Sequence, residues 1–209
     1  RRGMGRKPLS PASSLTPSKS MNRLRHMWDR IAGYVAHDDP MVAACNMIAL
    51  VVASNQPFYP LYVYWTVSDH VWPTFFTFLS TPLFLAVPAV ARRYSRTGRA
   101  LLPIAGIANT MLSAQVFGPA SGVEIFLIPC ALIAATFFRA SERLIAFVLI
   151  GAAFLVYVGL HGVYGVPVHI YTAPEYHAFS RLNAMSAGTL CVFVGLIASG
   201  LISQISWRT

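Results

Sequence analysis

Between residues 41 and 206 the chain is built from long apolar runs separated by short polar breaks, and this repetition constrains the fold more than anything else in it. Six such segments fall near 41–66, 72–91, 100–117, 121–138, 143–162 and 173–206. A helix needs about 20 apolar residues to cross the hydrocarbon core, so the fourth is short and the first and last are generous. Only 11% of the 209 residues are charged, against roughly a quarter in a soluble domain. The reading is an all-α, polytopic membrane protein with six transmembrane helices, in the inner (plasma) membrane of a cell.

The positive charge is placed by position rather than spread evenly. Arg1, Arg2, Arg6, Lys7, Lys19, Arg23, Arg25 and Arg30 precede the first segment, against Asp29, Asp38 and Asp39. Arg92, Arg93, Arg96 and Arg99 lie between segments two and three, and Arg139 and Arg143 between four and five. The stretch from His161 to Tyr176 holds no Lys or Arg. The basic regions therefore share one side, which puts both termini in the cytoplasm by the positive-inside rule. Charge that flanks membrane segments also argues against a nucleic-acid partner.

Residues 1–20 form a basic Ser/Pro-rich tail whose composition predicts disorder. In 21–39, Leu24, Met27, Trp28, Ile31 and Val35 recur at helical spacing with arginines between them. That pattern predicts an amphipathic helix at the membrane interface, or a cytosolic helix packed on a partner domain. The first 39 residues contain no apolar stretch of signal-peptide type. The chain begins with Arg, so Met4 or Met21 is a candidate start, or the sequence is a fragment. Residues 40–206 form the membrane domain, and Pro57 and Pro60 should bend or end its first helix by removing backbone donors.

Polar side chains within spans are costly and are functional candidates by default. Asn55, Gln56, Gln115, Glu124, Tyr157, His161, His177, Arg181 and Asn183 all fall toward the outer ends of their helices. The inner half offers little beyond Asn46 and small hydroxyls. The expectation is an outward-facing polar pocket holding a small, mainly apolar ligand. Ser121-x-x-Glu124 and Thr172-x-x-Glu175 each have the form of a capping box. Glu124 is the carboxylate best placed to pair with Arg181, which would otherwise hold an anionic ligand or reach lipid phosphate. His177 and Arg181 share a helix face that Gly188 continues.

Cys45, Cys130 and Cys191 lie in different apolar segments without metal-ligand spacing, and read as packing residues. His161, His169 and His177 are eight residues apart, which matches no compact metal pattern. No metal, haem or other cofactor is expected. There is no GxSxG, P-loop or HExxH, and the reading is of a chain that is not itself an enzyme.

Phe117 to Leu132, and Arg181-Leu182-Asn183-Ala184, resemble the six-helix N-terminal membrane module of bacterial sensors. These are the membrane-bound class III adenylate cyclases and the quorum-sensing-type histidine kinases with six-helix input domains. The resemblance extends over roughly 40–206 through helix layout. It implies a sensory module with cytoplasmic termini, whose last helix runs into a signalling domain. Here Trp207-Arg208-Thr209 ends the chain where that helix would emerge. The resemblance therefore implies either a fragment or a free-standing module working through a cytoplasmic partner or as a homodimer. The competing expectations are a small transporter or channel, and an accessory or anchoring subunit of a membrane complex.

Overall fold

The computed structural model describes residues 19–206, and among them every regular element is helical. Residues 1–18 of the predicted tail (1–20) and the last three residues lie outside the described part, and residues 19–20 belong to the first helix. Helix α1 (Lys19–Val35) belongs to a unit of its own, and its Met27 and Trp28 side chains are exposed. The remaining chain, from Val35, forms one bundle.

That bundle holds α2 (Pro40–Asn55), α3 (Tyr59–Thr66), α4 (Thr81–Arg93), α5 (Ser95–Phe117), α6 (Leu127–Thr136), α7 (Arg143–Leu160) and α8 (Ala173–Ser206). Asp39 caps α2 by accepting from the Met41 amide at 2.9 Å, with Pro40 in the first turn where its missing donor costs nothing. Pro57 acts as expected: α2 stops at Asn55, and a 3-10 turn (Gln56–Phe58) leads into α3.

Among the described residues five helical stretches are long and apolar enough to cross a membrane: Pro40–Thr66, Trp72–Arg93, Ser95–Phe117, Ala140–Leu160 and Ala173–Leu201. The fourth apolar segment yields only the shorter helical stretch Val123–Thr136. Its four residues of 3-10 helix and ten of α-helix rise about 23 Å, against about 30 Å of hydrocarbon.

The second apolar segment does not start as an α-helix. Trp72–Ser80 is a 3-10 helix of nine residues, long for its kind. Its repeat of three aligns Thr74, Thr77 and Ser80 on one buried face. Each hydroxyl reaches the carbonyl three residues earlier: Thr74 to Val71 at 2.5 Å, Thr77 to Thr74 at 2.7 Å, Ser80 to Thr77 at 2.8 Å. A polar stripe thus enters the bundle already partnered.

Packing relies on small residues, as it must where lipid is as apolar as the core. One residue, Tyr94, separates α4 from α5, and the two helices lie so close that a Cβ on Gly98 would overlap the Ala91 backbone, 2.5 Å from its Cα. A Cβ on Gly106 would sit 2.5 Å from Cys130 Sγ on α6. The turn between α5 and α6 needs its two glycines for conformation as well. Gly118 and Gly122 take φ of 82° and 68°, and a Cβ on Gly122 would lie 3.2 Å from Ser180 Cα on α8.

Candidate functional site

The centre of the bundle holds a cavity of about 550 Å³, within the range of about 300–1,000 Å³ usual for small-molecule sites. Helices α2, α3, α4, α5, α6 and α8 contribute to its wall, together with the 3-10 stretches Gln56–Phe58, Trp72–Ser80 and Val123–Phe126. Most of the wall is apolar, including Val52, Phe84, Leu102, Ile133, Leu190 and Phe193.

One side of the wall is polar, and it is built around Gln56. Burial leaves this amide only 8% exposed, so all its bonding must come from the protein. Its Nε2 donates to Ser80 Oγ at 2.7 Å and to the Thr77 carbonyl at 3.3 Å, while its Oε1 accepts from Thr81 Oγ1 at 2.5 Å. Ser80 has its single proton within reach of both Asn109 Oδ1 (2.7 Å) and the Thr77 carbonyl (2.8 Å), so it serves one at a time. Asn109, Thr110, Ser113 and Tyr59 complete the polar side.

A second cavity of about 550 Å³ lies between α3 and α8, lined by Asn55, Tyr62, Thr66 and Arg181 among others. Asn55, Tyr62, Ser186 and Thr189 line both cavities. Asn55 Oδ1 accepts from Tyr62 Oη at 3.4 Å.

The nine residues singled out in the sequence therefore do not form one pocket. Gln56 and Asn55 line the central cavity, whereas Arg181 joins Asn55 at the second one. Asn183 is fully buried behind the central wall. It accepts from Tyr59 Oη at 3.0 Å and donates to the Ser121 carbonyl at 2.9 Å. This bond joins the α5–α6 turn to α8. Phe117 and Phe179 pack around it, with ring centroids 5.1 Å apart.

Glu124 stands elsewhere again. Its expected partner, Arg181, is replaced by His161, whose Nδ1 lies 2.6 Å from Glu124 Oε2. Helix phase explains the correction. Phe179 and Asn183 face the core, and a residue two positions from each is turned about 200° away. Arg181 is thus exposed, with no ion pair among the described residues. The Ser121–Glu124 capping box does not form either. Ser121 Oγ donates to the Gly118 carbonyl at 2.6 Å, and α6 begins only at Leu127. Thr172–Glu175 does form one: Glu175 Oε2 accepts from the Thr172 amide at 2.7 Å, and Thr172 Oγ1 from the Glu175 amide at 3.4 Å.

Around Glu124, Tyr157 packs on the His161 ring at 5.6 Å, and the Gln115 amide lies beside Gly165. Glu124 Oε1 and Tyr164 Oη are buried without a hydrogen-bond partner. Burial first, and the Glu124 carboxylate second, push the Tyr164 phenol above its ordinary value. His177 is exposed on the outer face of α8. Farther out, His70 and His169 stack at 4.8 Å, and Tyr171 donates to the His70 carbonyl at 3.0 Å. Burial, helped by Glu175 and Tyr176, pushes the Tyr171 phenol up to about 12, so it remains a donor. Among the described residues no group of His, Cys, Asp and Glu has the geometry of a metal site.

The end of the bundle remote from Glu124 is richer than Asn46 and hydroxyls. Arg99 and Glu142 are 2% and 5% exposed and form a bidentate pair at 2.8 and 2.9 Å. Arg99 also donates to the Phe137 carbonyl at 2.8 Å, and Arg96 Nε lies 2.9 Å from Glu142 Oε1. Arg139 joins the cluster to Asp39 at 2.8 Å. Neither Arg96 nor Arg99 is in a loop, because α5 begins at Ser95.

Fold and cavity together define a helical, membrane-embedded bundle with an internal binding-sized space. Comparison with family models, with curated proteins and with solved structures finds no match.

Proposed function

We propose that the chain is a sensory or regulatory membrane module that binds a small, mainly apolar ligand in the central cavity. The observation that carries this reading is the cavity itself: an apolar chamber with one polar wall, where Gln56 and Asn109, both bonded to Ser80 behind them, can fix the orientation of a ligand. Helices α2, α3 and α8 all contribute to its wall. A ligand that binds two spacings of these helices unequally shifts the balance between them. Helix α8 then carries the shift toward a cytoplasmic output domain or partner, as the resemblance to six-helix sensors implies.

The reading includes six crossings with both termini cytoplasmic. The Arg99–Glu142 pair supports the sixth, because it holds the starts of α5 and α7 at one end of the bundle. The chain between them must run back through the whole depth, and Val123–Thr136 is the apolar helix available for that. Arg92, Arg93, Arg96, Arg139 and Arg143 gather at the same end, which favours the cytoplasm for it.

The test is thermal unfolding of the purified chain with a panel of uncharged apolar compounds, repeated on Ser113→Phe. Ser113 is buried on the cavity wall and makes no hydrogen bond among the described residues, so phenylalanine fills space without breaking a bond. The expected result is a ligand-dependent rise in Tm for the wild type that Ser113→Phe abolishes while its own folding is retained. An equal rise in both proteins would exclude the cavity.

A further inference from the structure

We propose that the ligand is a single-chain amphiphile with an anionic head, its tail in the central cavity and its head at Arg181. The proposal rests on the cavity reading above and goes beyond it by naming the chemical class. Three observations converge on it. The two cavities adjoin along the seam between α2–α3 and α8, with Asn55, Tyr62, Ser186 and Thr189 in both walls. One is dominated by apolar side chains, while the other ends in a guanidinium flanked by an amide and two hydroxyls: Arg181, Asn55, Tyr62 and Thr66.

Charge is the second observation. No acidic residue lines either cavity, and the carboxylate that would have neutralised Arg181 is held by His161 instead. A cation that lines a groove in a membrane-embedded bundle, without an ion pair among the described residues, favours an anion as its occupant. The third is length. From Arg181 to Phe193 the helix rises about 18 Å at 1.5 Å per residue, which suits a medium-length alkyl chain lying along α8. The wall of the first cavity includes exposed Val51 of α2 and Phe58 of the 3-10 turn that follows it, so the chain can arrive sideways from the bilayer. Arg181 then supplies a charge-assisted contact to a carboxylate or phosphate head, and the Asn55 amide and Tyr62 hydroxyl supply neutral ones.

The experiment compares dodecyl phosphate, which is charged at neutral pH, with dodecanol, which has the same chain and no charge. Both are titrated against the full chain in phosphatidylcholine nanodiscs. Wild type should prefer dodecyl phosphate by about tenfold, the worth of about 1.4 kcal/mol from one partly wet charged contact. Arg181→Gln should bring its affinity down to that of dodecanol, and Arg181→Lys should keep most of the preference. Equal affinities in wild type, or a preference that survives Arg181→Gln, would overturn the proposal. So would a preference that vanishes once phosphatidylglycerol replaces part of the lipid while dodecanol still binds, because Arg181 would then be reading bilayer headgroups. The Ser113→Phe arm separates the two levels. Loss of both probes there supports the cavity, whereas saturable binding of neither probe to the wild type, or of both to Ser113→Phe unchanged, removes the cavity reading itself.

Discussion

Replacing Glu142 by Gln keeps the side chain's size and removes one charge from the most buried ion pair in the bundle. The carboxylate accepts from Arg99 Nη1 and Nη2 and from the Arg139 amide, and Arg96 reaches it from outside. The Arg96 contact is largely solvated on its own side, with 71% of that side chain exposed, and contributes little. Arg99 is different. At 2% exposure its guanidinium has no other anion to turn to, and the amide nitrogen of Gln would face it donor to donor. Leaving a buried charge uncompensated costs about 3–5 kcal/mol. The lower figure applies here, because the Phe137 carbonyl still accepts from Arg99. A loss of about 3 kcal/mol lowers Tm by about 6–12 °C in a chain of this size. The assay is thermal unfolding in a mild detergent, read by loss of monodisperse protein. The compensating variant, Arg99→Met with Glu142→Leu, removes both charges and should recover to within about 1 kcal/mol of wild type. If Glu142→Gln melts within a degree of wild type, or the double variant is worse than the single, the pair does not hold α5, α6 and α7 together as argued.

Three further perturbations probe other joints. Gly98→Ala drives a Cβ into the Ala91 backbone, which cannot rotate aside, and should cost about 1–3 kcal/mol in the same unfolding assay. Asn183→Leu strands the Ser121 carbonyl and the Tyr59 hydroxyl in a buried site, with an expected loss of about 2–3 kcal/mol. Glu175→Ala removes the capping box of α8 at an exposed position, so the loss should be only about 1 kcal/mol, measured as faster amide exchange in the first turn.

What the sequence disclosed and what it concealed follow from the range of each interaction. Local chemistry was legible: the break at Pro57 and the Thr172–Glu175 cap involve residues within a few positions of each other. Position along a helix was legible too: Asn55 and Gln115 lie in the last turns of α2 and α5. Rotation about the helix axis was not. Arg181 and Asn183 share a depth but face opposite ways, and only tertiary packing of Phe179 and Asn183 decides which one meets the core. The Arg99–Glu142 pair was hidden because arginines 92 to 99 look like a solvated run, and nothing local says that the fourth turns inward to a carboxylate 43 positions away. One available signal was missed. Thr74, Thr77 and Ser80 recur every three residues beside Pro73, the spacing of a 3-10 helix rather than an α-helix, and Thr77 and Ser80 of that stripe bond Gln56 on the polar wall of the cavity.

The central claim is that an apolar molecule occupies the space between α2–α3, α5 and α8 rather than the lipid-facing surface. A dodecanol derivative with a photoreactive diazirine near its tail, irradiated with the protein in nanodiscs and mapped by mass spectrometry, tests it directly. Labelling is expected at Thr110, Ser113, Leu190 and Phe193, and unmodified dodecanol should compete it away. Labelling that resists competition and is as strong on the exposed α7 residues Phe147, Phe154 and Leu155 would contradict it.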